Sequence, residues 1–444
     1  MSDHALDQEW RGASLLGFAF PTIVMMIFMG LYTVVDTIFV ARYVSTDALS
    51  AVNIVCPVIH VTVGLGTMLA AGGNAVVSRN MGARREQEAM EDFTLLVTAA
   101  AALGFVILIA GTLWIDELVY ALGASDLLFP YCKDYLGVLF LFIPANIIQT
   151  VFANLFVTAG RPGLGCGLAV IAGLANIVLD YVFLEICGFG IRGAALGTGC
   201  GYLIPAMAGL GFFWKSKGGL SFRRPKWRWG VLGESCLNGS SEMVGQLAAA
   251  VTTYLFNIAM MDLLGEDGVA AITIMIYSQF LLNTLYIGFS MGVAPVIGFQ
   301  YGSQNREGQR KVFQISISFL AMASLLLFAV SSLGGPWIIG GFVPETSRVY
   351  SLAEEGFSIF SYSFLFCGLN IFTSAMFTAL SNGKVSGVLS FLRTFGFLTS
   401  GILLLPRIWG IAGIWLAVPV AEGSMFFVSV ICLLYYNRRY GYGP

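Results

Sequence analysis

The sequence predicts an all-α membrane protein with twelve transmembrane helices in two pseudo-symmetric six-helix lobes. Three observations predict it. Of 444 residues 57% are hydrophobic and only 11% charged; long apolar runs recur between charged or Gly/Pro-rich breaks; and one half of the chain overlays on the other. Such a composition does not suit a soluble globular core, and a helix crossing hydrocarbon needs about 20 apolar residues.

On that measure the spans are 13–41, 49–72, 93–114, 131–158, 163–186, 192–214, 237–261, 269–297, 312–333, 355–380, 384–405 and 410–436. The first follows the acidic stretch MSDHALDQEW and has no small-residue cleavage site at its end, so it reads as a retained helix. Basic residues fall mostly on one side. With the N-terminus inside, Arg79, Arg84, Arg85, the KSKGGLSFRRPKWRW stretch, Arg306, Arg310, Lys311, Arg438 and Arg439 are cytoplasmic, whereas Arg42, Lys133, Arg192, Arg348 and Arg407 lie outside. Both termini are therefore expected in the cytoplasm, and the protein in a prokaryotic plasma membrane. The basic stretch reads as a topology signal and lipid-headgroup contact, and a net charge of −2 suggests no nucleic-acid partner. The eight cysteines form no C-x-x-C pair and read as small packing residues.

A shift of 220 positions lays ALSAVNI at 48 over GVAAITI at 268, GGNAVVSRNMGARRE at 72 over GVAPVIGFQYGSQNR at 292, and IRGAALG at 191 over IAGIWLA at 411. One offset serving all three predicts an N-terminal lobe 1–214, a cytoplasmic linker loop 215–236 and a C-terminal lobe 237–444. Six helices return the chain to the side it started from. The repeats are then parallel, around an axis along the membrane normal, and able to rock about a central cavity.

Two carboxylates stand inside these apolar runs, Asp36 in LYTVVDTIFV and Asp180 in ANIVLDYVFL. An intramembrane carboxylate costs about 2.5 to 3.5 kcal/mol on insertion scales, so it normally faces the bundle interior and handles ions or protons. Asn176 lies one turn before Asp180 on the same face of the fifth span. Counting from the outer ends of their helices, Asp36, Asp180 and Thr198 all sit roughly 9 to 12 Å deep. Four oxygen-bearing side chains at one level suit a hard cation such as Na+, and the same carboxylates suit a shared proton. The plain alternative is that each Asp only bonds neighbouring helices. Under the 220 shift these four positions become Phe256, Gly396, Ser400 and Val418, so coupling is expected in the N-terminal half alone.

Other polar residues give weaker signals. Gln149, Asn154, Glu242, Gln246, Gln279 and Asn283 are candidates to line a substrate cavity, with Met29 and Tyr32 as its soft surface beside Met25, Met26 and Phe28. Arg393 is the one basic residue deep in a span, and a structural pair with Glu422 is expected as readily as a transport role. His60 reads as a helix–helix hydrogen-bonding residue. Pro21 removes a backbone hydrogen bond in the first span and gives that helix a place to bend, or only a static kink.

Taken together, VDTIFV after a proline in the first span, NMGAR after the second with its partner QYGSQN after the eighth, TAGRP after the fourth and N-x-x-x-D in the fifth resemble the multidrug and toxic compound extrusion (MATE) family. The resemblance covers essentially the whole chain, and the polar set is similar to that of the DinF-like and MepA-like branch. It implies efflux of small organic cations or amphipathic drugs in exchange for Na+ or H+ by alternating access. It also implies that Asp36, Asn176, Asp180 and Thr198 hold the coupling cation or proton, and that the first helix bends at Pro21. Another branch couples through a glutamate in the seventh span, where Glu242 stands, and an aspartate in the tenth. Here the tenth span has no carboxylate, a departure from that pattern. No cofactor beyond the coupling ion is expected, and the protein is expected to be monomeric. The alternative reading is a lipid or oligosaccharide flippase of the same superfamily. No Ser/His/Asp, metal-ligand or phosphate-loop pattern indicates an enzyme.

Overall fold

The structure is a computed structural model that describes residues 5–216 and 219–443; the side chains at 34, 37, 38, 41, 42, 46, 47 and 49 lie outside that description. Lys217 and the Arg42 side chain, both used above for orientation, fall among the undescribed groups. Twelve helices among the described residues are long and apolar enough to cross a membrane, and no strand is present among them.

In the first half the helices are α1 (Gly12–Tyr43), α2 (Thr46–Gly82), α3 (Glu86–Leu113), the short α4 (Ile115–Ala121), α5 (Phe129–Thr158), α6 (Pro162–Tyr181) and α7 (Ile191–Lys215). After α8 (Trp229–Asn238), the second half holds α9 (Ser240–Leu264), α10 (Glu266–Gly302), α11 (Arg306–Gly340), α12 (Arg348–Phe360), α13 (Phe364–Ala379), α14 (Gly383–Phe391), α15 (Thr399–Trp409) and α16 (Ile411–Tyr440). Local chemistry sets many of these bounds. Ser45 accepts from the Ala48 N–H at 3.0 Å to start α2, Asn305 accepts from Gly308 at 2.9 Å to start α11, and Pro162 occupies the first turn of α6.

Each predicted span corresponds to a helix or helix pair, but several run further than hydropathy alone indicated. The NMGAR segment, expected after the second span, begins inside α2, because Asn80 and Arg79 find polar partners at the membrane edge. The tenth span is interrupted by a 3-10 turn at Ser361–Ser363. The linker is not wholly a loop. Its last part is α8, packed on α2, and Gly72 and Gly239 allow the two backbones to touch there.

The 220-residue repeat is visible in backbone detail. Arg84 and Gln304, which follow α2 and α10, both take left-handed φ (58° and 55°), and Gly190 and Gly410 precede α7 and α16 with φ of 58° and 57°. Phe152 and Phe372 are equivalent buried core residues: Phe152 packs with Phe156 and Phe213, and Phe372 with Phe289. The repeat also organises the contact between halves. α1 packs on α10 and α2 on α9, so the first helix of each half meets the second helix of the other. At the linker side, a Cβ on Gly82 would overlap the Phe299 carbonyl, and one on Gly302 would overlap the Arg79 carbonyl. These two contacts interchange under the 220 shift, so the pseudo-twofold axis runs between them.

Candidate functional site: a buried oxygen cluster

The site forms where α1, α6 and α7 meet in the first half. Small residues let these helices approach closely. Gly173 of α6 receives the Phe28 and Tyr32 rings of α1. On α7, Gly197 leaves room for the Asp180 Oδ1 atom, and a Cβ added to Gly201 would lie 3.5 Å from the Asn176 Cβ. Thus a Gly-x-x-x-Gly face on α7 matches the Asn-x-x-x-Asp face on α6, and Thr198 follows directly on the glycine that admits Asp180. Immediately after Asp180 the helix widens into a π turn, Val182–Ile186, a local irregularity often found at functional positions.

Asn176 and Asp180 are 3% and 1% exposed. The Asp36 and Asp180 carboxyl groups lie within direct side-chain reach of each other, close enough for one proton to bridge them. The structure therefore brings Asp36 to Asp180, with Asn176 one turn before Asp180 on α6 and Thr198 next to Gly197 on α7. Their buried acceptors share a further property: Asp36 Oδ1, Asn176 Oδ1, both Asp180 carboxyl oxygens and Thr198 Oγ1 receive no hydrogen bond from the described residues. Buried polar atoms in folded proteins are nearly always paired, and each unpaired one costs about 1–3 kcal/mol. Five such oxygens together form a cluster of unneutralised acceptors that a group supplying positive charge would stabilise. The donor set is all oxygen, without His or Cys, which suits a hard cation or a proton rather than a soft transition metal.

Sequence reasoning missed four neighbours of this cluster. Gly197 and Gly201 were read only as general packing residues. Tyr135 of α5 and Tyr202 of α7 lie within electrostatic range of Asp36, as does Tyr32 one turn before it. A tyrosine inside an apolar span was the available signal, because its hydroxyl needs a polar neighbour there.

Several of the residues expected to line a substrate cavity have individual partners in the structure. Gln149 donates to Asn146 Oδ1 at 3.3 Å and Asn154 to the Thr150 carbonyl at 3.3 Å, both within α5. Gln246 pairs with His60 at 3.3 Å across α9 and α2, the helix-joining role expected for that histidine. Asn283 accepts from the Cys367 thiol at 3.3 Å. Glu242, Gln279, Met29 and Tyr32 are half-buried. Met25 is core, only 2% exposed, rather than soft cavity surface. Around Pro21, α1 continues without a break, and its Ala19–Ile23 turn lies against Gly288 and Gly292 of α10. The Arg393–Glu422 pair forms at 2.6 Å.

On the linker side a second charged group was not anticipated. Asp92, whose side chain is 1% exposed, forms an ion pair with Arg228 at 2.8 Å and accepts from Asn80 at 2.8 Å, while Glu91 meets Lys226 at 2.9 Å. Two of the basic linker residues, read from sequence as topology and headgroup contacts, are therefore paired with carboxylates of α3. Arg79 also pairs with Glu234, joining α2 to α8.

A profile of the MatE family matches residues 21–182 and 243–399. The multidrug export protein MepA of Staphylococcus aureus is 20% identical over 434 residues, spanning 96% of this chain and 94% of that one. Among solved structures, a MATE transporter in complex with MaL6 superposes with a TM-score of 0.92 at 20% identity, covering 99% of each chain. An outward-facing multidrug resistance MATE transporter of the MOP superfamily gives 0.90 at 21% identity, over 98% of this chain and 97% of that one. These structural likenesses establish the fold, and the profile, which matches well over half of the chain, establishes the family. The chain belongs to the MatE family, the multidrug and toxic compound extrusion transporters, and is a multi-pass membrane transporter rather than an enzyme.

Proposed function

We propose that this protein is a secondary active antiporter that exports cationic or amphipathic organic compounds in exchange for Na+ or H+. The observation that carries the reading is the set of five buried, unpaired oxygens on Asp36, Asn176, Asp180 and Thr198. The MepA relatives are multidrug export proteins by name, which supports the substrate class. A flippase of the same superfamily would need several cationic groups in its cavity for a diphosphate headgroup, and Arg393 is the one basic residue of the sequence deep in a span.

In the proposed cycle, Na+ or a proton enters from the side opposite the linker and neutralises the two carboxylates. The neutral site no longer favours a bound organic cation, which leaves, and the ion-loaded protein returns to the inward-open state. Substrate and ion thus compete through the charge on Asp36 and Asp180, and each weakens the other's binding by the same factor. Pro21 supplies the bend in α1 that transmits the change, where α1 meets Gly288 and Gly292 of the other half. The units that rock are 1–214 and 237–444, with 215–236 connecting them and both termini in the cytoplasm of a prokaryotic cell; the transporter works as a monomer. A tenfold solute gradient requires about 1.4 kcal/mol, and one charge crossing 100 mV supplies about 2.3 kcal/mol. One-for-one exchange of monovalent cations gains nothing from voltage, so the ion's own chemical gradient must drive it.

The test is efflux of a fluorescent organic cation from proteoliposomes under an imposed Na+ gradient and, separately, an imposed pH gradient. One of the two gradients is expected to drive efflux by wild type and neither by Asp36→Asn. Undiminished gradient-driven efflux by Asp36→Asn sinks the proposal.

A further inference from the structure

We propose that Arg393 forms a subsite for a carboxylate on the transported solute, so that zwitterionic amphiphiles are a substrate class of this protein. The inference rests on the export reading above and adds a chemical preference to it.

The second half contains a polar group unlike the acidic cluster of the first. Arg393 sits in a π turn, Leu392–Leu398, between α14 and α15. Its Nε and Nη2 atoms both donate to one oxygen of Glu422, at 2.9 and 2.6 Å. The other Glu422 oxygen accepts from Asn370 at 2.8 Å, and Asn370 accepts in turn from Ser429 at 2.8 Å. Glu422 is thus satisfied from behind and its side chain is only 7% exposed, whereas that of Arg393 remains 26% exposed. A guanidinium carries five N–H donors, and Glu422 takes two through the Nε/Nη2 edge. Among the described residues the end-on Nη1/Nη2 edge has no acceptor. That edge is the planar fork that binds a carboxylate through two parallel hydrogen bonds.

Two further features favour a solute over a purely helix-joining role. Phe391, two residues earlier and 57% exposed, faces outward, so Arg393, about 200° further round at helical spacing, faces the interior. Cys367, within electrostatic range of Arg393, donates to the Asn283 side-chain oxygen at 3.3 Å. That bond uses the Asn283 oxygen as acceptor and leaves its NH2 group as a polar donor on α10, facing α13. At this depth an exposed donor edge is costly unless water or a solute group meets it. Together with the acidic cluster in the first half, the arrangement suits a solute with a cationic end and a carboxylate end.

The matched probes are rhodamine 110, with a free carboxylate, and rhodamine 123, its methyl ester, their binding to purified full-length protein followed by fluorescence polarisation. Wild type is expected to bind rhodamine 110 about tenfold more tightly, the fold-change of one net charge-assisted hydrogen bond. The double variant Arg393→Gln with Glu422→Gln keeps a neutral hydrogen-bonded pair, and is expected to lose that preference while its affinity for rhodamine 123 stays unchanged. Equal ratios in wild type and the double variant overturn the subsite and leave the export reading standing; failure of wild type to bind either dye overturns both. Should the double variant bind neither dye, Arg393→Lys decides, since it retains the charge against Glu422 and loses the fork: a reduced preference upholds the subsite and an unchanged one refutes it.

Discussion

The paired glycines at the linker side give the sharpest prediction about alternating access. Gly82 and Gly302 are related by the repeat, and each faces a backbone carbonyl of the other half. In Gly82→Ala the new Cβ would lie 2.8 Å from the Phe299 carbonyl carbon and nearer still to its oxygen. In Gly302→Ala the corresponding distance to the Arg79 carbonyl carbon is also 2.8 Å. Ordinary carbon contacts are about 3.5 Å or more, so the two helix ends must separate by roughly 1 Å. The opposing atoms are backbone and cannot rotate away. Overpacking of this kind costs about 1–3 kcal/mol, and the penalty falls only on the state in which these ends touch. The equilibrium should therefore move toward the state open on the linker side by about 5- to 150-fold. Spin labels at exposed Arg85 and Arg310 would report it as a longer-distance population by double electron–electron resonance. Because the contacts are symmetric, the two variants should shift the distribution by similar amounts. Gly245→Ala, where an added Cβ meets nothing within 4 Å, should not shift it. Distance distributions unchanged in both glycine variants would refute the reasoning.

Three more outcomes are expected. Gly197→Ala places a methyl group on the Asp180 carboxylate, so gradient-driven efflux should fall at least about tenfold in a protein that still folds, whereas Gly211→Ala, with open space around it, should transport normally. Arg228→Ala removes the cation facing the buried Asp92, and should lower unfolding stability in detergent by about 2–3 kcal/mol, below the range for fully buried pairs because Arg228 is 32% exposed. Lys226→Ala, at a side chain 65% exposed, should cost less than about 1 kcal/mol. Pro21→Ala restores the backbone donor missing from α1, so bending should become rarer and turnover should slow while equilibrium ion binding persists, measured by efflux rate and ion-dependent thermal shift in parallel.

How much of this was legible beforehand follows from which forces act locally. Hydropathy reports burial in lipid, so the spans were readable, as was the repeat, because a 220-residue offset preserves turn residues such as Gly190 and Gly410 that need positive φ. Helical spacing put Asn176 and Asp180 on one face, and depth counting aligned them with Asp36 and Thr198. What the sequence did not disclose depends on contacts between distant segments. Glu91 and Asp92 looked like the polar edge of the third span, yet the linker folds back and buries them against Lys226 and Arg228. Gly197 looked like any other small residue in a transmembrane helix until its neighbour proved to be the Asp180 oxygen. The π turns after Asp180 and at Arg393 have no local sequence signal, since each needs partners on other helices to hold a widened turn.

The two π turns bear on how the halves divide the work. One begins two residues after the acidic pair member in the first half, and the other contains the basic residue in the second. They do not correspond under the 220 shift, so each arose as a local feature of its own lobe rather than as part of the duplicated scaffold. The duplicated elements, α1 on α10, α2 on α9 and the crossed glycines, are the ones that join the lobes. On the proposed antiport cycle, the symmetric parts of this molecule lie where the two lobes would rock against each other. The asymmetric parts lie where charge is held, an arrangement that would let one lobe answer to an ion while the other answers to a solute.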